Sequence, residues 1–213
     1  MKKTDKILLV KILTIDRVDG FLDGNIYMNS DAYFSKIDQS DAARFDADED
    51  VDEAWQVKEL AIRNDEGEYV PIGGIINPIR YRYGSREHLN IFCLHMIVDL
   101  PEYSFDEKNL QFGEAAIVIR NSKEFTTRMR SASESLGRKI HHGPVTYLNK
   151  TKHHGVMGPF RKFDEFAYQS EFRFVLHKGD GHPTTVKLGD IRDICFSIPS
   201  KDIPKLIPKK GAG

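Results

Sequence analysis

Apolar and polar positions alternate with a period of two along much of the chain. The segments KILLVKILTI, GNIYMNS, NIFCLHMIVDL, EAAIVIR, EFRFVLH and DICFSIP are rich in β-branched and aromatic residues and bounded by Gly, Pro, Asn or Asp, the pattern of strands. YVPIGGIIN and GPVTYLN carry the same signature. Helical spacing is clearest in NSKEFTTRMRSASESLGRKI, where Ser122 is placed to cap the start and Gly137 to stop the helix. Shorter helices are predicted over 30–35 and 51–60. About seven or eight strands with so few helices predict an α+β fold, a single domain over 1–200 built on a mostly antiparallel mixed sheet. Prolines and closing glycines predict an extended or frayed tail over 201–213.

The segment FAYQSEFRFVLH, 166–177, raises a chemical question. Strand alternation puts Gln169, Glu171 and Arg173 on one face and Tyr168, Ser170, Phe172, Phe174 and Leu176 on the other. The aromatic face marks the strand as internal, so the polar row must either form an ion-pair network or place a carboxylate at the floor of a cleft. The same alternation in RYRY, 80–83, predicts packed Tyr81 and Tyr83 with Arg80 and Arg82 facing outward, rather than tyrosines stacked on a nucleobase.

Charge and cysteine content narrow the setting. The 213 residues carry a net charge of −1, so the overall field does not call for nucleic acid. Locally, 38–53 is acidic, and 120–162 is rich enough in Arg, Lys and His to face an anion. Cys93 and Cys195 sit in apolar runs and read as buried thiols without a disulfide framework, which fits a reducing, cytoplasmic location. Asp5, Lys6 and Lys11 interrupt the N-terminal apolar run, which reads as a first strand rather than a signal peptide, and nothing is long enough to span a membrane.

Phosphate-cradling glycine loops and a G-x-S-x-G nucleophile motif are both absent. Cys93 and His95 share a strand face, but no third group accompanies them as a nucleophile pair would need. His141–His142 and His153–His154 repeat a His-His-Gly pattern, yet neighbours on a strand point apart, so no metal site is assigned and a solvated or anion-facing role is expected. The acidic segment lacks the ligand spacing of a calcium loop.

Gln169-Ser170-Glu171, followed by FRFVLHKG, resembles the Q-x-E strand of ADP-ribosyltransferases, notably the Rho-modifying exoenzyme type. That resemblance implies NAD as substrate, with Glu171 steadying the ribose hydroxyl and the oxocarbenium charge as nicotinamide leaves, and Gln169 meeting the acceptor. By position, Lys11, Ser30, Tyr33 and Arg44 would hold NAD, while Arg161 and Lys162 would clamp its pyrophosphate from a mobile lid over 150–162. The early strand offers Lys11 where these enzymes usually carry Arg or His, and no Ser-Thr-Ser is present. More widely, GNIYMNSDAYFSKID with Arg44 and Asp46, FGEAAIVIRNSKEFTTRM, and FRKFDEFAYQSEFRFVL resemble an uncharacterised bacterial and phage group associated with abortive infection. Together these imply ADP-ribose transfer to a protein or nucleic-acid acceptor in phage–bacterium conflict, as a toxin-like or counter-defence activity. Two alternatives stand beside it: a non-enzymatic protein that binds a defence-complex partner through its acidic segment or basic loops, and a metal-dependent nuclease.

Overall fold

Eight strands join one sheet, in which every ladder is antiparallel. They are β1 (Ile7–Leu13), β2 (Asn25–Ser30), β3 (His88–Val98), β4 (Ala115–Ile119), β5 (Ile140–Pro144), β6 (Glu171–Gly179), β7 (Thr184–Lys187) and β8 (Cys195–Pro199). The computed structural model describes residues 7–34, 48–49, 51–83, 87–98 and 103–207. Three short helices, α1 (Val18–Leu22), α2 (Asp31–Phe34) and α3 (Ser122–Ser135), complete an α+β architecture. Among the described residues no helix is long and apolar enough to cross a membrane.

β3, 11 residues long, organises the sheet. One of its edges carries β6, from Glu171 opposite His95 to Gly179 opposite His88, with β5 beyond. The other edge is divided: β1 pairs Ile7–Val10 with Val98–His95, and β2 pairs only Asn29 and Ser30 with Ile91 and Asn90. His95 is paired in register with both β1 and β6, and Asn90 with both β2 and β6, so β1 and β2 must lie on the same edge. Between them, at Phe92, Cys93 and Leu94, the sheet is split.

Alternation assigns the two faces. Leu9 and Leu13 of β1, Phe92 and Leu94 of β3, and Phe174 and Leu176 of β6 enter one core with Phe21 of α1 and Phe125 and Met129 of α3. Val10, Ile12 and Ile97 enter a second core with Phe105, Ala116 and Ile203. α3 begins one residue earlier than its sequence suggests, because Asn121 rather than Ser122 accepts from the Glu124 amide at 3.0 Å. Gly137, at φ +65°, ends it as predicted.

Three expectations need correction. Residues 53–55 form a strand, not a helix: Glu53–Trp55 pairs with Ile79–Tyr81 and Gly155–Val156, and buries Ala54 against Val51, Met157 and Phe163. Tyr81 in the same small sheet, and Tyr83 just beyond it, are 43% and 47% exposed rather than packed, while Arg80 and Arg82 are exposed as expected, Arg80 also pairing with buried Asp48. The ladder explains the exposure of Tyr81, which sits opposite Glu53 and shares its outward face, while Arg80 sits opposite buried Ala54, toward Asp48. The start of the expected tail is a 3-10 helix, Ser200–Leu206, fixed by fully buried Ile203; residues 208–213 lie outside the described residues.

Candidate functional site

A cavity of about 580 Å³ occupies the split in the sheet. Its walls come from the end of β1 (Lys11–Thr14), the polar face of β2 (Asn25, Tyr27, Asn29), the middle of β3 (Ile91–His95) and the start of β6 (Glu171, Arg173). The volume lies within the range of small-molecule sites. Lys11 sits at the seam: its ammonium donates to the Cys93 carbonyl at 2.8 Å and lies 4.9 Å from the centre of the Phe92 ring. It thereby occupies a ladder carbonyl that neither β1 nor β2 reaches.

The floor is a network of two carboxylates and two cations. Arg173, 1% exposed, donates from Nη1 and Nη2 to the two oxygens of Glu49 at 2.5 and 2.8 Å, and from Nε to Glu171 Oε2 at 2.6 Å. Lys162, 5% exposed, donates to Gln169 Oε1 at 2.8 Å and Glu171 Oε1 at 3.0 Å, and lies 3.5 Å from Glu49 Oε2. The Glu171 amide donates to the Tyr147 hydroxyl at 2.8 Å. Formal charges cancel across Glu49, Glu171, Lys162 and Arg173, which is how four such groups tolerate burial. Gln169 belongs to a 3-10 helix, Asp164–Gln169, not to the strand as predicted. Ser170, left-handed at φ 43°, separates it from β6, and its hydroxyl donates to the Met96 carbonyl at 2.7 Å. Gln169 and Glu171 therefore converge through Lys162 rather than through strand alternation.

Burial by itself would raise the Glu171 pKa, but the adjacent Arg173 and Lys162 charges and hydrogen bonds outweigh it and hold the carboxyl well below the usual range. A carboxyl depressed in the folded state contributes stability that is complete above its unfolded pKa, about 4.3, and is lost as pH falls toward the folded value. Unfolding in urea, repeated at decreasing pH, is expected to show stability declining below about pH 5, with a shallower decline in Glu171→Gln.

His95, also on the cavity wall, donates from Nδ1 to the Gln169 carbonyl at 2.8 Å, so its Nε2 accepts from the Tyr103 hydroxyl at 2.5 Å. Burial lowers its pKa, and the neutral ring anchors the turn that presents Gln169. Cys93 shares that face, but burial pushes its thiol up to about 12, which disqualifies it as a nucleophile near neutral pH.

Of the sequence-predicted site residues, Lys11, Tyr33, Lys162, Gln169 and Glu171 line the cavity. Ser30 is buried in the ladder opposite Asn90 and is not among the lining residues, and Arg44, with Asp46, lies outside the described residues. Arg161 is exposed and donates to the Met157 carbonyl at 3.1 Å, away from the lining. Nor is 150–162 a free lid. Gly155–Val156 pairs with Glu53–Ala54, Arg161–Phe163 pairs in parallel with Thr146–Leu148, and Gln56 Nε2 donates to the carbonyls of Lys150 and His153. Lys162 is consequently a fixed part of the floor.

Sequence reasoning missed exposed Arg17 and also Asn25, Tyr27 and Asn109, all on the lining. The β2 residues had a signal, because Asn25, Tyr27 and Asn29 alternate with buried Ile26 and Met28. Among the described residues no three His, Cys, Asp or Glu side chains gather as metal ligands would. His142 packs on Phe172 and Phe174, His153 Nε2 is 3.1 Å from the Val156 carbonyl, and His154 Nδ1 accepts from the Gln56 amide at 3.1 Å. Comparison of the chain with protein-family models, curated proteins and solved structures finds no match.

Proposed function

We propose that the cavity takes NAD and that the protein transfers ADP-ribose from it to a protein or nucleic-acid acceptor, in the phage–bacterium setting that its sequence resemblance implies. The observation that supports this reading is the meeting of Lys11, Tyr33, Gln169 and Glu171, drawn from three separate parts of the chain, on one cavity whose carboxylate is fixed and ionised. Breaking the nicotinamide–ribose bond leaves positive charge on the sugar, and an immobilised carboxylate stabilises that charge without reorganising. Each Glu171 oxygen takes one cationic donor within the network and keeps a lone pair for a ribose hydroxyl. Nicotinamide departs with the bonding electrons, and the acceptor's nucleophile closes the new bond and releases its proton. Lys11 and exposed Arg17 supply positive charge for the pyrophosphate, and Tyr27, Tyr33 and Phe112 supply ring surface for the bases.

Titration calorimetry with NAD tests this. The wild-type protein and Glu171→Gln are expected to bind, while Lys11→Met and Tyr33→Ala each weaken binding about tenfold or more, the scale of one lost charged hydrogen bond or ring contact. A folded wild-type protein that takes up no NAD overturns the proposal.

One further feature favours the non-enzymatic reading. Trp55 and Tyr81 stack in parallel, 5.5 Å between centres, and Tyr83 meets Tyr81 edge-on at 5.0 Å. Glu53 locks this exposed face, accepting from Trp55 Nε1 at 2.6 Å and from the Tyr83 hydroxyl at 2.7 Å. A rigid aromatic face is a suitable contact surface for a partner protein. Under that reading Trp55→Ala abolishes partner capture and substitutions in the cavity do not.

A further inference from the structure

We propose that His141 and His177 form a binding site for a late first-row divalent metal ion, zinc being the representative case, with Glu87 as the carboxylate that orients it. The sequence pairs the histidines by adjacency; the fold pairs them differently. In the β5–β6 ladder His141 lies opposite Val175, so His177, two residues further along, is its diagonal neighbour on the same face. The two rings stand nearly perpendicular, at 81° with centres 4.8 Å apart, and His177 Nε2 is 3.0 Å from His141 Nδ1.

Glu87 determines which nitrogen is available. Its Oε2 is 2.8 Å from His177 Nδ1, and its Oε1 accepts from the Lys178 amide at 3.0 Å, so the carboxylate is held by two donors. An ionised carboxylate only accepts, so His177 Nδ1 carries a proton and Nε2 is left to face His141 Nδ1. Two bare imidazole lone pairs cannot face each other at this distance: either His141 is the Nδ1–H tautomer and donates to His177 Nε2, or a cation lies between them. A proton satisfies the requirement as a hydrogen bond, and a metal ion satisfies it as a bridge.

Zinc–nitrogen bonds of about 2.0–2.1 Å at a tetrahedral angle separate two nitrogens by about 3.3 Å. The gap therefore needs to open by a few tenths of an ångström, and both rings must turn so that their lone pairs meet at an ion lying off the line that joins the two nitrogens. β5 can give that much, because its sole ladder among the described residues is with β6. A histidine whose second nitrogen is held by a carboxylate is the usual arrangement behind a zinc ligand. His141 is exposed and Glu87 is 45% exposed, so water reaches the remaining coordination positions. With two imidazoles as its protein ligands, the site selects zinc, nickel or copper over magnesium. A bound ion would clasp β5 to β6 and to the segment that leads into β3.

The full-length protein, stripped of metal with a chelator, is titrated with zinc chloride in a calorimeter and then melted with and without zinc. One zinc per chain is expected, with a melting temperature raised by a few degrees and no response to magnesium. His141→Ala and His177→Gln should remove both the binding and the shift, and Glu87→Gln should weaken binding about 10–100-fold. Exposed His141 can be replaced with the least disturbance, so His141→Ala decides the matter even if His177→Gln perturbs the fold. The proposal is overturned if the wild-type protein takes up no zinc, or if uptake and thermal shift survive in folded His141→Ala.

Discussion

Arg173→Ala is expected to lose about 3–5 kcal/mol of unfolding free energy, the cost of breaking a buried charge pair from one side. The guanidinium serves both oxygens of Glu49, one of Glu171 and the carbonyl of Pro159, and at 1% exposure its place offers little room for water to replace it. Removing it leaves two carboxylates near each other with Lys162 as the one cation between them among the described residues. Arg173→Lys keeps the charge, but one ammonium cannot reach all the acceptors that the planar fork serves, so an intermediate loss of about 1–3 kcal/mol is expected. Urea unfolding, read as a change in midpoint at constant slope, measures both. A loss below about 1 kcal/mol for Arg173→Ala would show that Glu49 and Glu171 are solvated in solution, and the cavity floor described above would then be incorrect.

This network also marks the boundary of what the sequence discloses. β1, β3, β4 and the later part of β6 are legible because their apolar residues repeat at the spacing of a pleated strand. β7, Thr184–Lys187, was not, since its threonines and lysine supply one buried residue, Val186. The Glu171–Arg173 face could be read from alternation alone. Its partner Glu49 could not, because it stands 124 residues from Arg173 in a run of acidic residues that alternation does not distinguish. Gln169 was misplaced for a local reason: a left-handed Ser170 is uncommon for a non-glycine residue, and it is held here by contacts from β3. Topology caused the largest omission. That β1 and β2 share one edge of β3 and leave a split between them depends on long-range register, and the cavity follows from that split.

Under the proposed ADP-ribose transfer, Glu171→Gln is expected to slow nicotinamide release from NAD about 10²–10³-fold, the scale on which a preorganised charge-stabilising group acts. It also removes one negative charge from a balanced network, so a loss of stability is expected with it, and the two effects must be separated. Adding Lys162→Met does so. The double variant returns the buried network to neutrality, with Arg173 still paired to Glu49, and the methionine stem can cover the Phe166 ring that Lys162 now overlies, 4.6 Å from its centre. Stability is therefore expected to recover much of what Glu171→Gln loses, because a buried charge set replaced by neutral groups costs little. Activity is expected to stay low, since the carboxylate that remains on the floor, Glu49, has both oxygens bound to Arg173. If turnover instead follows the folded fraction and returns with stability, Glu171 acts only as a structural partner of Lys162 and Arg173, and the carboxylate that stabilises the sugar must be sought elsewhere.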